Sequence, residues 1–130
     1  MITILSPAKT LDFDSRYDNL PLQIPAHVDE SEKVMNKLKK LSKKKLGCMM
    51  KLSKDLVELN AMRHQEWSTD FNLENSRPAL LIFNGEVYRG MGAKAFSEKE
   101  MEFAENHLRL LSGLHGLLKP LDYIQPYRLE

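Results

Sequence analysis

The chain has 130 residues, 42% of them apolar, and a formal net charge of +1. That length and apolar content suffice for one domain with a real core, and the near-zero total excludes a uniformly basic or acidic surface. The single cysteine, Cys48, excludes an internal disulfide and fits a reducing cytoplasm, and no apolar run approaches membrane-spanning length.

The near-zero total conceals a segregation. Lys33 to Lys54 holds nine lysines, at 33, 37, 39, 40, 43, 44, 45, 51 and 54, and no Asp or Glu. The rest of the chain is acidic on balance. Separation of charge within the chain says more about partners than the sum does.

In chain order, residues 1–6 (MITILS) are apolar and β-branched, which predicts a buried strand of a parallel or mixed sheet. Pro7 ends it. Ser6 to Thr10 then lies at the strand's C-terminal end, where open α/β sheets place ligands. Ser6 and Lys9 form an S-x-x-K spacing, which in serine acyltransferases sets a lysine one turn from a nucleophile. Three readings stand side by side: acyl chemistry by Ser6 and Lys9, anion contact by Lys9, and a plain strand-end loop.

Leu11 to Ala26 carries Pro21 and Pro25 with no clean period and reads as an ordered surface excursion. Asp29 or Ser31 is the expected cap of the first helix, with Val34, Leu38 and Leu41 as its apolar stripe. Ser42 is the expected cap of a short second helix, with Leu41 and Leu46 as a hydrophobic staple. The first turn of that helix is Lys43-Lys44-Lys45, the wrong charge for the positive end of a helix dipole. A bound anion removes the conflict; the alternative is three solvated lysines that tolerate it. Ser53 caps a third helix running to about Trp67, with Leu52, Leu56, Leu59 and Met62 as its stripe. The unit 43–66 is thus a helical hairpin. Helix–hairpin–helix modules hold nucleic-acid phosphates with backbone N–H groups and nearby lysines, and an ordinary packing hairpin looks the same in sequence.

Residues 79–84 (ALLIFN) read as a second buried strand ended by Gly85, leaving Tyr88 and Arg89 at the sheet edge either to contact a ligand or to cover the sheet end. Ser97 and Glu100 form a capping box, with Phe96 and Met101 as staple and Met101, Ala104, Leu108 and Leu111 as the core stripe. Residues 109–115 are expected to be a third strand, with a second hairpin as the alternative. The plan is therefore α/β, with α+β as the alternative: a small mixed sheet with flanking helices. The end of the chain, LRLLSGLHGLLKPLDYIQPYRLE, has no polar tail, and the expectation is a chain that continues beyond it. The four histidines (27, 64, 107, 115) and the acids Glu98, Glu102 and Glu105 show no Glu-x-x-His pairing, so no metal site and no cofactor is expected.

Three blocks, SPAKTLDF, FNGEVYRG and the closing LRLLSGLHGLLKPLDYIQPYRLE, closely resemble the YaaA peroxide-stress proteins, in the same order. The likeness corresponds to about the first half of a family member. It implies an α/β fold with a positively charged cleft and a helix–hairpin–helix element. It further implies a cytoplasmic protein that binds duplex or branched DNA and helps limit free intracellular iron, with no established enzyme activity. Ser6, Pro7, Lys9, Gly85, Tyr88, Gly90, Arg109, Gly113, Gly116, Pro120, Asp122, Pro126, Tyr127 and Arg128 fall on the family pattern; Lys43–Lys45 do not. The expected DNA or anion contacts are Lys9, Lys40, Lys43, Lys44, Lys45, Lys51, Lys54, Arg109 and Arg128. Ser6, Tyr88, Arg89 and Tyr127 are expected around the cleft. Self-association to cover exposed sheet is a further expectation.

Overall fold

The computed structural model describes residues 1–15, 17 and 20–129. A mixed three-stranded sheet sits at one end of the core. Its order is β1 (Thr3–Leu5), β3 (Leu108–Ser112), β4 (Gly116–Leu118). β1 runs parallel to β3 with Thr3 opposite Leu108, and β3 runs antiparallel to β4 with Leu110 opposite Leu118. The expected strand over 109–115 therefore exists, but it turns at residues 113–115. The Ser112 hydroxyl accepts the N–H groups of Leu114 (3.2 Å) and His115 (3.1 Å), and Gly116 takes φ +70°, which a residue with a Cβ rarely adopts.

Residues 79–84 depart from the sequence reading. The strand β2 is only Arg77–Pro78, paired antiparallel with β5 (Tyr123–Ile124), and Ala79–Ile82 is one buried helical turn, α4. Two of the turn's free N–H groups are met from outside: Ala79 donates to the Asp122 carbonyl (2.8 Å) and Leu80 to the Pro120 carbonyl (2.9 Å). A short run apolar on all sides has no period to separate buried strand from buried helix, and those two loop carbonyls favour the helix. Gly85 then caps a second short helix, α5 (Glu86–Met91), so Tyr88 and Arg89 are helical rather than at a sheet edge.

β1 also departs from expectation. It pairs on one side only, and Ile2 and Ile4 are 51% and 57% exposed. Its partner β3 keeps Leu110 fully buried but exposes Leu111, which the sequence reading assigned to the core.

The helices follow their local signals more closely. α1 (Val28–Lys40) begins earlier than expected, with His27 rather than Asp29 or Ser31 at its N-cap and without a side-chain cap. Ser31 lies a turn inside and is fully buried, its hydroxyl 3.0 Å from both the His27 and Leu114 carbonyls. Ser31 thus ties the helix to the β3–β4 turn instead of capping it. Met35 and Leu38 form the buried stripe, flanked by half-buried Val34 and Leu41. α2 (Lys43–Met50) and α3 (Lys54–Glu66) are capped by Ser42 and Ser53 as expected. α6 (Glu98–His107) carries the complete Ser97–Glu100 capping box.

α3 buries a face the apolar pattern does not mark. Leu56 and Met62 are exposed, whereas Asn60 and His64 are 1% exposed and Trp67 is 2% exposed. The core above this face joins Met35, Leu38, Phe71, α4, Leu110, Leu114, Leu118, Ile124 and Tyr127.

Candidate functional site

The hairpin α2–α3 gathers most of the expected cations. Lys40, Lys43, Lys44, Lys45, Lys51 and Lys54 are all exposed. Lys39, also in the run, lies partly inside and donates to the Trp67 carbonyl at 2.7 Å. The helices join through residues 51–53. Lys51 makes that reversal in the left-handed region at φ +55°, with its N–H on the Gly47 carbonyl. Gly47 fixes how closely the two helices approach: a Cβ there would stand 2.9 Å from Val57 Cγ2.

At the start of α2 the Ser42 hydroxyl accepts the Lys45 N–H at 3.2 Å, and no acid occupies the first turn. The Lys43, Lys44 and Lys45 ammoniums therefore share that end with the positive pole of the dipole, at roughly 0.3–1 kcal/mol each at low salt. Glu58 of α3 relieves one of them, at 2.7 Å from Lys43 Nζ. Both side chains are more than half exposed, so this pair contributes little. Lys43, Lys44 and Lys54 line a shallow cavity of about 390 Å3 with Gly47, Cys48, Leu52, Val57 and Glu58. The arrangement offers cations to a bound anion on an open surface and encloses nothing.

The second expected cluster forms at the end of β1. The Tyr88 hydroxyl donates to the Ser6 carbonyl, and Ser6, Pro7, Ala8, Gly85, Glu86 and Tyr88 line a cavity of about 540 Å3. Gly85 lets the two segments approach closely: a Cβ there would stand 3.3 Å from Ala8 Cβ. The first two motif blocks thus meet in space. Lys9 is exposed and does not line this cavity, and Arg89 turns away to Asn84 Oδ1 at 3.1 Å. Tyr88 is 7% exposed and Tyr127 2% exposed; both belong to the core cluster, Tyr88 with one edge on this cavity.

The two expected arginines lie elsewhere. Arg109 donates to the Glu105 and Leu108 carbonyls, both at 2.7 Å, closing the C-terminal end of α6. Arg128 is half-buried, its backbone N–H on His64 Nε2 at 3.2 Å. Neither lines the hairpin cavity, nor does Lys9. Lys9, Arg109 and the hairpin lysines thus do not meet in either of these two cavities.

A buried polar assembly beneath α1 and α3 went unmarked in the sequence. Ser112 Oγ and Tyr127 OH are 2.6 Å apart, and the His115 ring lies against Tyr127, Trp67 and Phe71. His115 Nδ1 is 3.3 Å from the Ser31 hydroxyl. Burial pushes the His115 imidazole down to about 4 and lowers His64 as well. Burial raises Asp122, against the hydrogen bonds it accepts from Gln23 Nε2 (2.7 Å) and the Lys119 N–H (2.9 Å). The family-pattern residues Asp122 and Tyr127 thus hold the closing loop onto the core. The Gly-x-x-Gly spacing of 113–116 was the available sequence signal for a turn there.

Among the described residues no group of three or more His, Cys, Asp or Glu is placed to hold a metal ion, and no helix is long and apolar enough to cross a membrane. A family model for the peroxide stress protein YaaA matches residues 1–130, and the chain belongs to that family.

Proposed function

We propose that this member of the peroxide stress protein YaaA family acts in the cytoplasm by binding DNA without sequence preference, gripping the phosphate backbone with the hairpin α2–α3. The observation that carries this reading is the start of α2. Three exposed lysines stand beside free helix N–H groups, in a run of nine lysines with no acid. A polyanion converts that unfavourable crowding into attraction. The short turn between the two helices supports a helix–hairpin–helix reading. Exposed lysines on an open surface suit backbone contact, which positions a protein without reading bases. The part of the proposal that concerns limiting free intracellular iron rests on the family likeness alone.

Fluorescence anisotropy with labelled duplexes tests the binding. Two unrelated sequences of equal length should bind within about threefold of each other, and affinity should fall steeply between 50 and 200 mM salt, by roughly tenfold or more. Binding insensitive to salt, or confined to one sequence, contradicts the proposal. The iron arm is tested by measuring chelatable iron in cells with and without the protein under peroxide; equal levels contradict it.

A further inference from the structure

Of the chain's seven asparagines only Asn84 is followed by glycine. A Cβ on the following residue would shield its backbone nitrogen, and glycine has none. The fold leaves this step open at each atom through which the side chain can react with the main chain. The Gly85 N–H meets no acceptor among the described residues. Asn84 Oδ1 accepts the Arg89 guanidinium at 3.1 Å, which fixes the orientation of the amide, because arginine only donates. The Asn84 Nδ2 amino group donates to no described residue. Asn84 and Gly85 are half-buried, so water reaches them. Asn75 shows the opposite arrangement. Its Oδ1 accepts the Asn72 N–H at 2.9 Å and its Nδ2 donates to the Asp70 carbonyl at 2.8 Å. The N–H that follows it, that of Ser76, is held by the Asn72 carbonyl at 3.2 Å.

We infer that Asn84 is a site of spontaneous covalent modification, in which the Gly85 backbone nitrogen closes on the Asn84 side chain while Arg89 holds the oxygen that gains charge. The Gly85 amide gives its proton to water or hydroxide, and its nitrogen attacks Asn84 Cγ. The carbonyl electron pair moves onto Oδ1, where the guanidinium meets it as an oxyanion donor does. Collapse of this intermediate breaks the Cγ–Nδ2 bond and expels ammonia, which takes up a proton. The cyclic imide then takes up one water. Opening at one carbonyl leaves aspartate at position 84, and opening at the other leaves isoaspartate, with the main chain running through Cγ and one carbon longer. Either product sets a new carboxylate beside Arg89. The longer backbone falls directly before α5, whose Tyr88 donates to the Ser6 carbonyl. Conversion therefore loosens the contact between the first two motif blocks, with no enzyme and no co-reactant but water.

Prolonged incubation near neutral pH in heavy-oxygen water, followed by peptide mapping in a mass spectrometer, tests this. Asn84 should convert ahead of the other six asparagines, faster as pH rises, and its products should carry the oxygen label. Isoaspartate should be among them, as read by isoaspartyl methyltransferase labelling. Arg89→Gln, at an exposed position, should slow conversion by about threefold to tenfold, less than an enclosed oxyanion donor achieves, because water shares the site. Gly85→Ala keeps Arg89 and should slow it as well, which gives a second variant should the first fail to fold. An intact Asn84 after other asparagines have converted, aspartate without isoaspartate, or conversion as fast or faster in Arg89→Gln overturns the inference.

Discussion

Gly47→Ala separates two opposing effects whose sizes the hairpin geometry sets. Gly47 lies inside α2, where alanine is favoured over glycine by about 1 kcal/mol. The new Cβ, however, would stand 2.9 Å from Val57 Cγ2, closer than carbon atoms pack. Val57 cannot swing away freely, because a β-branched side chain in a helix holds one χ1 rotamer. The remaining relief is to spread α2 from α3 or to force Val57 off its rotamer, at about 1–3 kcal/mol. The clash exceeds the propensity gain, so Gly47→Ala should destabilise the protein by about 1 kcal/mol. With Val57→Ala in place the clash disappears, and the same change should stabilise by about 1 kcal/mol. The coupling is then about 2 kcal/mol, large for a surface hairpin. Urea unfolding of the four proteins, followed by circular dichroism, measures it. Should Gly47→Ala stabilise the parent as much as it stabilises the Val57→Ala protein, the close approach of α2 and α3 described here is wrong.

Other outcomes follow from the buried polar assembly and the caps. His115 is neutral when folded, with its pKa lowered from the usual 6.5 to about 4 by burial. The unfolded chain takes up the proton first, so stability is complete above about pH 6.5 and declines as pH falls towards 4, by about 3 kcal/mol. His64, also lowered by burial, acts in the same direction, while the raised Asp122 acts in the opposite one. His115→Gln should flatten the stability–pH profile between 6.5 and 4, and an unchanged slope would assign the acid sensitivity elsewhere. Ser97→Ala removes one half of a complete capping box and should cost about 1 kcal/mol in thermal or urea unfolding; no loss would mean that α6 is held by its packing alone.

The caps of α2, α3 and α6 were legible because they are local. Ser42, Ser53 and Ser97 each accept the N–H three residues on, and no distant partner decides the outcome. The start of α1 was not, because Ser31 is claimed by a carbonyl 83 residues away. Residues 79–84 were misread for the same kind of reason: the Pro120 and Asp122 carbonyls select a helical turn that a uniformly apolar run cannot announce. The inner face of α3 was missed because it is polar. Asn60 and His64 are buried by virtue of Leu56 and Arg128 as hydrogen-bond partners, which an apolar stripe does not encode. The apolar run of β1 predicted a buried strand, but Ile2 and Ile4 stay half-exposed, because among the described residues β1 pairs with β3 alone.

At the candidate site the lysine segregation was plain in the sequence, and the hairpin presents those lysines to solvent together. The grouping of Lys9, Arg109 and Arg128 with them was not realised. The Arg109 guanidinium is engaged by two backbone carbonyls, a use of arginine that charge counting cannot foresee. The Ser6 and Gly85 segments each stood out as a strand-end motif, but Gly85 follows a helical turn and their meeting in one cavity was not marked. Their contact through Tyr88 required α5 to be a helix.

The reading that the start of α2 holds a polyanion is tested most directly by comparing salt slopes for duplex binding by the parent and by Lys43→Gln/Lys44→Gln/Lys45→Gln. If all three ammoniums displace condensed counterions, the log–log slope should become shallower by about 2.7, and by nearer 2 if Glu58 retains Lys43. Equal slopes for the two proteins would place the DNA elsewhere on the molecule, or nowhere on it.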